Sequence, residues 1–288
     1  MKAACSRSFH AAAICLTVLL IGAPATTRSQ LVESAAGASA ADITAARDQF
    51  RVDLGGGTTA GANGSFGGLR REINWDGVPA ASSAPNNLAA NFFNVTSPRG
   101  AIFSTPGTGF QVSGATTDGG AGQPAAANFG NINPTYTTTF ATFSPQRLFT
   151  ALSSNVYDVN FFLPGTTTAA LVTGFGAVFS DVDLADTTSL QFFDASNSSL
   201  GTFFVPAFLG SQTFSFLGVS FPTAEVSRVR VTAGNVALGV NDQNGDLNDV
   251  VVADDFLYSE PIPEAETTVL LGCGLAALVV LRLRCFRR

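Results

Sequence analysis

The strongest constraint on the fold is a succession of short segments rich in Phe, Val and Thr between residues 140 and 258. Gly, Pro, Asn or Asp separate these segments, so the pattern predicts strands joined by turns. In residues 226–232 valines alternate with polar residues, which predicts a strand with one buried face. The predicted strands are 140–143, 148–152, 157–163, 171–180, 189–193, 201–205, 212–221, 226–232 and 249–258.

Many short strands with frequent turn signals predict an antiparallel sandwich or barrel. A closed barrel and a two-sheet jelly roll both fit this pattern. The long irregular stretch before residue 128 and the uneven strand lengths favour the jelly roll. The fold class that we predict is all-β: a jelly-roll-like β-sandwich over residues 40–260, with one short N-terminal helix and a C-terminal transmembrane helix.

The chain before these strands carries two local signals. Ser39 and Asp42 have the spacing of a capping box, which predicts one short helix over residues 42–50. Residues 99–114 predict two short strands on either side of Pro106-Gly107, a turn signal. The rest of the stretch before residue 128 is rich in Gly, Asn, Pro and Ser, which predicts long loops.

The N-terminus has the three parts of a secretory signal peptide. Basic residues precede the apolar residues 11–21, and Ala23-Pro24-Ala25 fits a cleavage site for export. A buried core helix is the alternative, but the apolar run is short and lies at the very start of the chain. We therefore predict a signal peptide over residues 1–25, followed by a flexible linker over residues 26–39.

Residues 26–266 contain no Cys, His, Lys or Met. Catalysis by a Ser-His-Asp or Cys-His set, a Schiff-base lysine and a Cys/His zinc site are therefore excluded within them. Nine arginines face 21 acidic residues in this region, which gives a net charge of −12. Such a charge predicts no nucleic-acid partner, because phosphate is bound mainly by Lys and Arg. An oxygen-ligated cation such as Ca²⁺ stays possible.

The last residues form a polar stretch, an apolar run and a basic end. Residues 267–281 are uncharged and would span roughly 22 Å as a helix, which is short for a bilayer. Long arginine side chains after the run can extend the span, so we predict a transmembrane helix over residues 267–283 with a cytoplasmic basic tail. The tail arginines are Arg282, Arg284, Arg287 and Arg288.

This end resembles the PEP-CTERM sorting signal of bacteria, in which a Pro-Glu-Pro-like motif precedes a short transmembrane segment and a basic terminus. The matching motif is Pro263-Glu264-Ala265, with Ala265 in place of the usual second proline, and the resemblance covers residues 261–288. It implies a Gram-negative-type envelope, an inner-membrane precursor, and an exosortase-type enzyme that cleaves near Pro263. The product would reach the cell surface or the extracellular matrix. A membrane anchor that is never cut is the alternative.

The body of the chain resembles lectin-like or carbohydrate-binding jelly rolls in two stretches, GFGAVFSDVDLADTTSLQFFDASNSSLGTFF and VVVADDFLYSEPIPE. The resemblance implies that extracellular polysaccharide could be a partner. Trp75, the only tryptophan, could stack on a sugar, although a lone tryptophan is more often packed over the core. The sequence thus predicts a non-enzymatic surface or matrix protein. A secreted glycan hydrolase that uses two carboxylates is the alternative.

Acidic residues suggest where a structural Ca²⁺ could bind, because this ion prefers carboxylate and amide oxygens. One group, in residues 241–249, has alternating Asp and Asn, but a hairpin turn around Asn244-Gly245 is the favoured alternative. The second group lies at the ends of two predicted strands and would converge if those strands were neighbours; solvated carboxylates are the alternative. The candidates are Asp242, Asn244, Asp246 and Asp249 in the first group, and Asp181, Asp183, Asp254 and Asp255 in the second.

Overall fold

The computed structural model describes residues 30–56, 69–115, 126–240 and 247–264. In chain order the elements are β1 (Leu31–Gly37), α1 (Ala40–Asp53), β2 (Arg70–Ile73), a 3₁₀ turn (Ala80–Ser82), α2 (Phe92–Val95), β3 (Ala101–Ser104), β4 (Gly109–Val112), α3 (Tyr136–Thr139), β5 (Phe149–Leu152), β6 (Val156–Phe161), β7 (Ala170–Leu171), β8 (Gly174–Ser180), β9 (Ser189–Phe193), β10 (Ser199–Phe204), β11 (Phe214–Ser220), β12 (Arg228–Thr232), β13 (Val252–Ser259) and β14 (Ile262–Pro263).

The strands form two antiparallel sheets that face each other as in a sandwich. Sheet A has the order β1–β11–β8–β13–β5–β4, and β2 also pairs with β13. Sheet B has the order β10–β9–β12–β6–β3, while β14 and β7 form a short separate pair. The predicted sandwich class is therefore confirmed at this level, and β13, late in the chain, lies in the middle of sheet A.

The main core fills the space between the two sheets. The large side chains that meet there are Phe149, Phe179 and Phe256 from sheet A and Val159, Phe192 and Val229 from sheet B, all 0% exposed. The alternation predicted for β12 holds, since Val229 and Val231 are buried and Arg230 between them is exposed. Aromatic rings dominate this interior because many phenylalanines fill it without needing hydrogen-bond partners.

Helix α1 covers the outer face of sheet A. Its start is the predicted capping box: the Ser39 backbone N–H and hydroxyl donate to Asp42 Oδ2 at 2.9 and 2.8 Å. Phe50 packs over Gly176 of β8 and Gly218 of β11, which lie directly opposite each other. A Cβ atom would lie 2.7 Å from the Phe50 ring at Gly176 and 2.5 Å from it at Gly218. The two glycines thus form the slot that fixes the helix.

Two of the predictions for single elements are wrong. Residues 31–37, within the predicted flexible linker, form β1, because seven consecutive residues pair with β11 and their low strand propensity is overridden. Residues 140–143 form no strand, because the N–H groups of Ala141 and Phe143 bind side chains and that of Phe140 binds the Tyr136 carbonyl. The Ala141 N–H donates to Ser180 Oγ at 3.0 Å, and the Phe143 N–H donates to Asp254 Oδ2 at 2.6 Å.

The turn at Pro106-Gly107 does separate two short strands, as predicted, but β3 belongs to sheet B and β4 to sheet A. The turn therefore passes the chain between the sheets. Across residues 30–56, 69–115, 126–240 and 247–264, no helix is long and apolar enough to cross a membrane. The predicted signal peptide, the transmembrane helix over 267–283 and the basic tail lie outside those ranges.

Candidate functional site

Asp254 and Asp255 lie at a β-bulge in the middle of sheet A. Ala253 pairs with Phe179 and Phe256 pairs with Ala177, so both aspartates oppose the single residue Val178. Neighbouring residues on a regular strand point to opposite faces, but a bulge disrupts this alternation. The bulge keeps both acids out of the aromatic core, which would otherwise have to bury one of them.

The carboxyl groups are enclosed by the loop that follows residue 142. Asp254 is 0% exposed and Asp255 is 6% exposed. The Phe143 N–H donates to Asp254 at 2.6 Å, and Ser144 Oγ lies 3.0 Å from Asp254 Oδ1 and 2.7 Å from Asp255 Oδ1. A hydroxyl has one proton, so it can donate to only one of the two acids and must accept from the other. The hydrogen bonds between Ser144 and the two carboxyl groups are therefore all satisfied when Asp254 and Asp255 hold one proton between them.

Burial raises the pKa of the Asp254 carboxyl well above its usual range, and the adjacent charge of Asp255 raises it further. Burial also raises the pKa of Asp255, which the hydrogen bonds from Ser144 and Asp254 partly offset. Two carboxylates this close cannot both ionise cheaply. The geometry and the directions together indicate that Asp254 is the acid that holds the proton when the pair carries one.

Trp75 supports the same bulge from the inner side of the sheet. Its indole Nε1–H donates to the Asp254 carbonyl at 2.6 Å, and its ring stacks on Phe149 with 4.2 Å between centroids. Phe93 and Phe256 contact the ring edge-on, and the residue is 1% exposed. No ring face is open for a sugar, so this geometry corrects the ligand-stacking expectation in favour of core packing.

Asp183 and Asp249 form a second group beyond the end of β8. The Asp249 carboxylate accepts the N–H of Asp183 at 3.0 Å and that of Leu184 at 3.3 Å, together with the Thr187 hydroxyl. Asp183 in turn accepts the Gly210 N–H at 2.8 Å. Burial raises the pKa of Asp249. These carboxylates hold loops in place through backbone hydrogen bonds.

The convergence predicted for the second group of acids occurs only in part. Strands β8 and β13 are neighbours, but Asp181 follows β8 with a φ of +70°, and Asp183 meets Asp249 rather than Asp254 and Asp255. Within the ranges that the structure describes, no group of three Asp, Glu, His or Cys side chains could hold a metal. Asp242, Asn244, Asp246, Ala265 and the tail arginines lie outside those ranges.

A partly open groove of about 550 Å³ lies at the opposite end of sheet A from the Asp249 loops. It forms where β1 and β8 begin, β11 ends and α1 ends. Leu31, Leu54 and Phe221 give it apolar walls, and Asp53, Thr173 and Ser220 give it polar ones. The sequence did not predict this site, because its residues are far apart along the chain and none carries a motif.

Acidic groups set the charge of the groove. Burial, followed by the nearby charge of Asp53, raises the pKa of Glu33, which lies two residues from Leu31 on β1. The arginines in this area are already held by other acids. Arg51 binds Glu72 at 2.7 Å, and Arg70 binds Glu72 at 2.9 Å. Glu33 and Asp53 have no basic partner in the described part of the chain.

Comparisons with known proteins give no family for the chain. No protein-family model matches it, and no curated protein matches it. One similar solved structure is a glycoside hydrolase family 43 arabinoxylan arabinofuranohydrolase from Bacillus subtilis, in complex with cellotetraose, with 15% identity and a TM-score of 0.26. The match covers 52% of this chain and 24% of the hydrolase chain, and we base no inference on a similarity this low.

Proposed function

We propose that the protein is an exported, non-enzymatic surface or matrix protein that binds polysaccharide and is sorted by its PEP-CTERM-like tail. The position of Pro263 is the observation that carries the sorting part of this proposal. Pro263 is exposed and comes four residues after Ser259, the last residue of β13. An exosortase-type enzyme cutting beyond Glu264 would remove no residue of either sheet.

The start of the motif is also tied to the domain. Ile262 pairs with Leu171 and Pro263 pairs with Ala170 in the short β14–β7 ladder. Two pairs at an exposed edge hold a strand only weakly, so this segment can open for a processing enzyme at little cost. In this proposal the folded domain presents its own cleavage site, with inner-membrane insertion before processing and release afterwards.

The jelly-roll-like assignment is part of the proposal. It is supported by the way successive strands change sheet. The chain crosses between the sheets from β2 to β3, β3 to β4, β5 to β6, β8 to β9, β10 to β11, β11 to β12 and β12 to β13. Jelly rolls are built from such crossings, and lectin domains are among the proteins that use them. Polysaccharide binding is thus compatible with the scaffold that we propose.

The alternative, a hydrolase with paired carboxylates, receives less support from the geometry. A glycosidase needs two carboxyl groups about 5–10 Å apart on either side of an accessible bond. Asp254 and Asp255 are instead bridged by the Ser144 hydroxyl and enclosed by Ser144 and Phe143. We therefore favour binding without turnover.

The sorting part is tested by expressing the full chain in a Gram-negative host with and without an exosortase-type enzyme. We expect the C-terminal peptide found by mass spectrometry to end near Pro263–Glu266 only when the enzyme is present. Glu264→Ala should reduce this processing, whereas Glu225→Ala, an acid on another loop, should not. An intact Arg288 terminus in the membrane fraction of both strains would show that the tail is an anchor.

A structural Ca²⁺ is a separate proposal for residues 241–249. Asp249 already accepts three hydrogen bonds from the protein, so a bound ion would have to share its oxygens. The test is the melting midpoint of the full chain in Ca²⁺ and then in EDTA. A higher midpoint in Ca²⁺ that disappears in Asp246→Asn would support the site, and identical midpoints would exclude structural calcium.

A further inference from the structure

We propose that the groove between the start of β1 and the end of α1 binds a positively charged sugar, namely an amino-sugar unit of a polysaccharide. This inference rests on the polysaccharide-binding part of the proposed function and names both the site and the class of ligand. The groove is about 550 Å³, within the range typical of small-molecule sites.

Three polar groups that line the groove have hydrogen-bonding capacity left unused by the described residues. Asp53 Oδ1 accepts a hydrogen bond from Gln49 at 3.0 Å, but Asp53 Oδ2 is buried without a partner in the described residues. The hydroxyls of Thr173 and Ser220 make no hydrogen bond to any other described residue. A carboxylate and two hydroxyls can together accept from and donate to the hydroxyl and amine groups of a sugar.

The charge of the groove selects for a cation. Asp53 lines the groove and its charge acts on Glu33, which lies two residues from the lining residue Leu31; neither acid has a basic partner in the described residues. The C-terminal end of α1, which contributes Asp53, adds partial negative charge. Arg51 and Arg70 nearby are paired with Glu72, so they do not neutralise these acids. An ammonium group would relieve the repulsion, and a uronic acid would increase it.

The apolar walls favour a sugar over a lysine-containing peptide. Phe221 and Leu54 line the same groove as the free hydroxyls, so a ligand there must present apolar C–H surface beside hydroxyl groups. A pyranose ring has both, because its axial C–H bonds form an apolar face while its hydroxyls lie around the edge. A lysine side chain offers the charge and an apolar stem but no hydroxyl for Thr173 or Ser220.

The test is calorimetric titration of the full chain at low ionic strength with four probes. They are a short glucosamine oligomer with protonated amines, its N-acetylated form, an oligo-galacturonate and an oligolysine of similar length. We expect the glucosamine oligomer to bind best. Asp53→Asn should weaken binding of the glucosamine oligomer about tenfold, which is the typical effect of losing one charge-assisted hydrogen bond. Glu33→Gln should also weaken it, whereas Asp186→Asn, an exposed acid at the other end of β8, should have no effect.

Three outcomes would overturn the inference. The groove would not be the binding site if the Asp53→Asn, Glu33→Gln and Asp186→Asn variants all bound the glucosamine oligomer with the same affinity. This comparison requires that their melting midpoints equal that of the unmodified protein. If the N-acetylated oligomer bound as tightly as the protonated glucosamine oligomer, the groove would not select for positive charge, although the protein would still bind polysaccharide. Tighter binding of oligolysine would exclude a sugar as the preferred ligand. If no saccharide binds at all, polysaccharide binding fails as well, while the mass of the C-terminal peptide still tests sorting independently.

Discussion

The bulge in β13 directs the carboxyl groups of Asp254 and Asp255 away from the aromatic core and places them together in a buried site. The folded chain holds a proton on Asp254 more tightly than the unfolded chain would, because burial and the charge of Asp255 both raise its pKa. A group with a raised pKa in the folded state stabilises the fold fully below its unfolded pKa of about 4 and loses this contribution as the pH rises. The pair therefore makes the fold less stable at neutral pH than at mildly acidic pH.

We predict that Asp254→Asn will flatten the dependence of stability on pH. The amide cannot lose a proton, and its oxygen can still accept the Phe143 N–H. In the unmodified protein this group can lower the free energy of unfolding by up to about 1.4 kcal/mol for each pH unit above its unfolded pKa. The measurement is urea unfolding at several values between pH 4 and pH 8.

The matched control for this prediction is Asp186→Asn. Asp186 is exposed and has a φ of +64°, a conformation that asparagine tolerates well. Its substitution should leave the slope of stability against pH as it is in the unmodified protein. If the free energy of unfolding of Asp254→Asn, plotted against pH, also ran parallel to that of the unmodified protein, Asp254 would be ionised in the folded state. The prediction of a shared proton would then be wrong.

At the scale of elements, α1 is fixed to sheet A by one ring in one slot. Gly218→Ala would place a Cβ atom 2.5 Å from the Phe50 Cγ, at the rigid root of the ring, so either the helix or the strand must move. We predict a loss of about 1–3 kcal/mol in the free energy of unfolding for this overpacking. Phe50→Ala should cost about 3–5 kcal/mol through the cavity that it leaves.

The double variant distinguishes this slot from an unrelated loss of stability. With Phe50 replaced by alanine, the new Cβ at position 218 meets open space, so we expect the two losses to be far from additive in denaturant unfolding. Gly210→Ala is a useful contrast, because there the penalty comes from a φ of +130° and should add fully to that of Phe50→Ala. Additive losses at Gly218 would mean that the ring can move aside.

The elements that the sequence predicted best are those whose pattern is local. Strands such as β9 and β12 were predicted within a few residues, because alternation and flanking turn residues specify them. Strand β1 was missed, since its small residues form a strand only through seven pairs with β11, which lies far along the chain. The bulge had a signal that we did not use: two adjacent acids interrupt the apolar run that becomes β13, and no regular strand can keep both out of a core.

At the scale of the whole molecule, the groove could not be predicted from the sequence. It exists only because the ends of β1, β8, β11 and α1 meet at one end of sheet A. Leu31, Thr173 and Phe221 are ordinary residues in their local context. The acids at the strand ends were predictable as a group, but their division into two separate clusters depends on the register of β8 and β13. Register is set by tertiary pairing, which short-range patterns do not contain.

The same topology predicts where the chain can be shortened. A chain of residues 30–264 retains every strand of both sheets, so we expect it to unfold cooperatively with a midpoint close to that of the longer chain. A chain of residues 30–250 lacks β13, which separates β8 from β2 and β5, and it should show no cooperative transition by circular dichroism. Cooperative unfolding of the shorter chain would mean that sheet A does not depend on its central strand.

The central place of β13 also affects the order in which the protein can fold during synthesis. Sheet A cannot close until residue 259 has left the ribosome, since β13 joins β8 to β2 and β5. Pairing of β1 with β11 likewise waits for nearly two hundred residues to be made, and such distant contacts form slowly. Sheet A of a nascent chain with this topology therefore remains incomplete through most of its translation. If the chain is exported as we propose, this delay would let it reach a translocation channel before sheet A has formed.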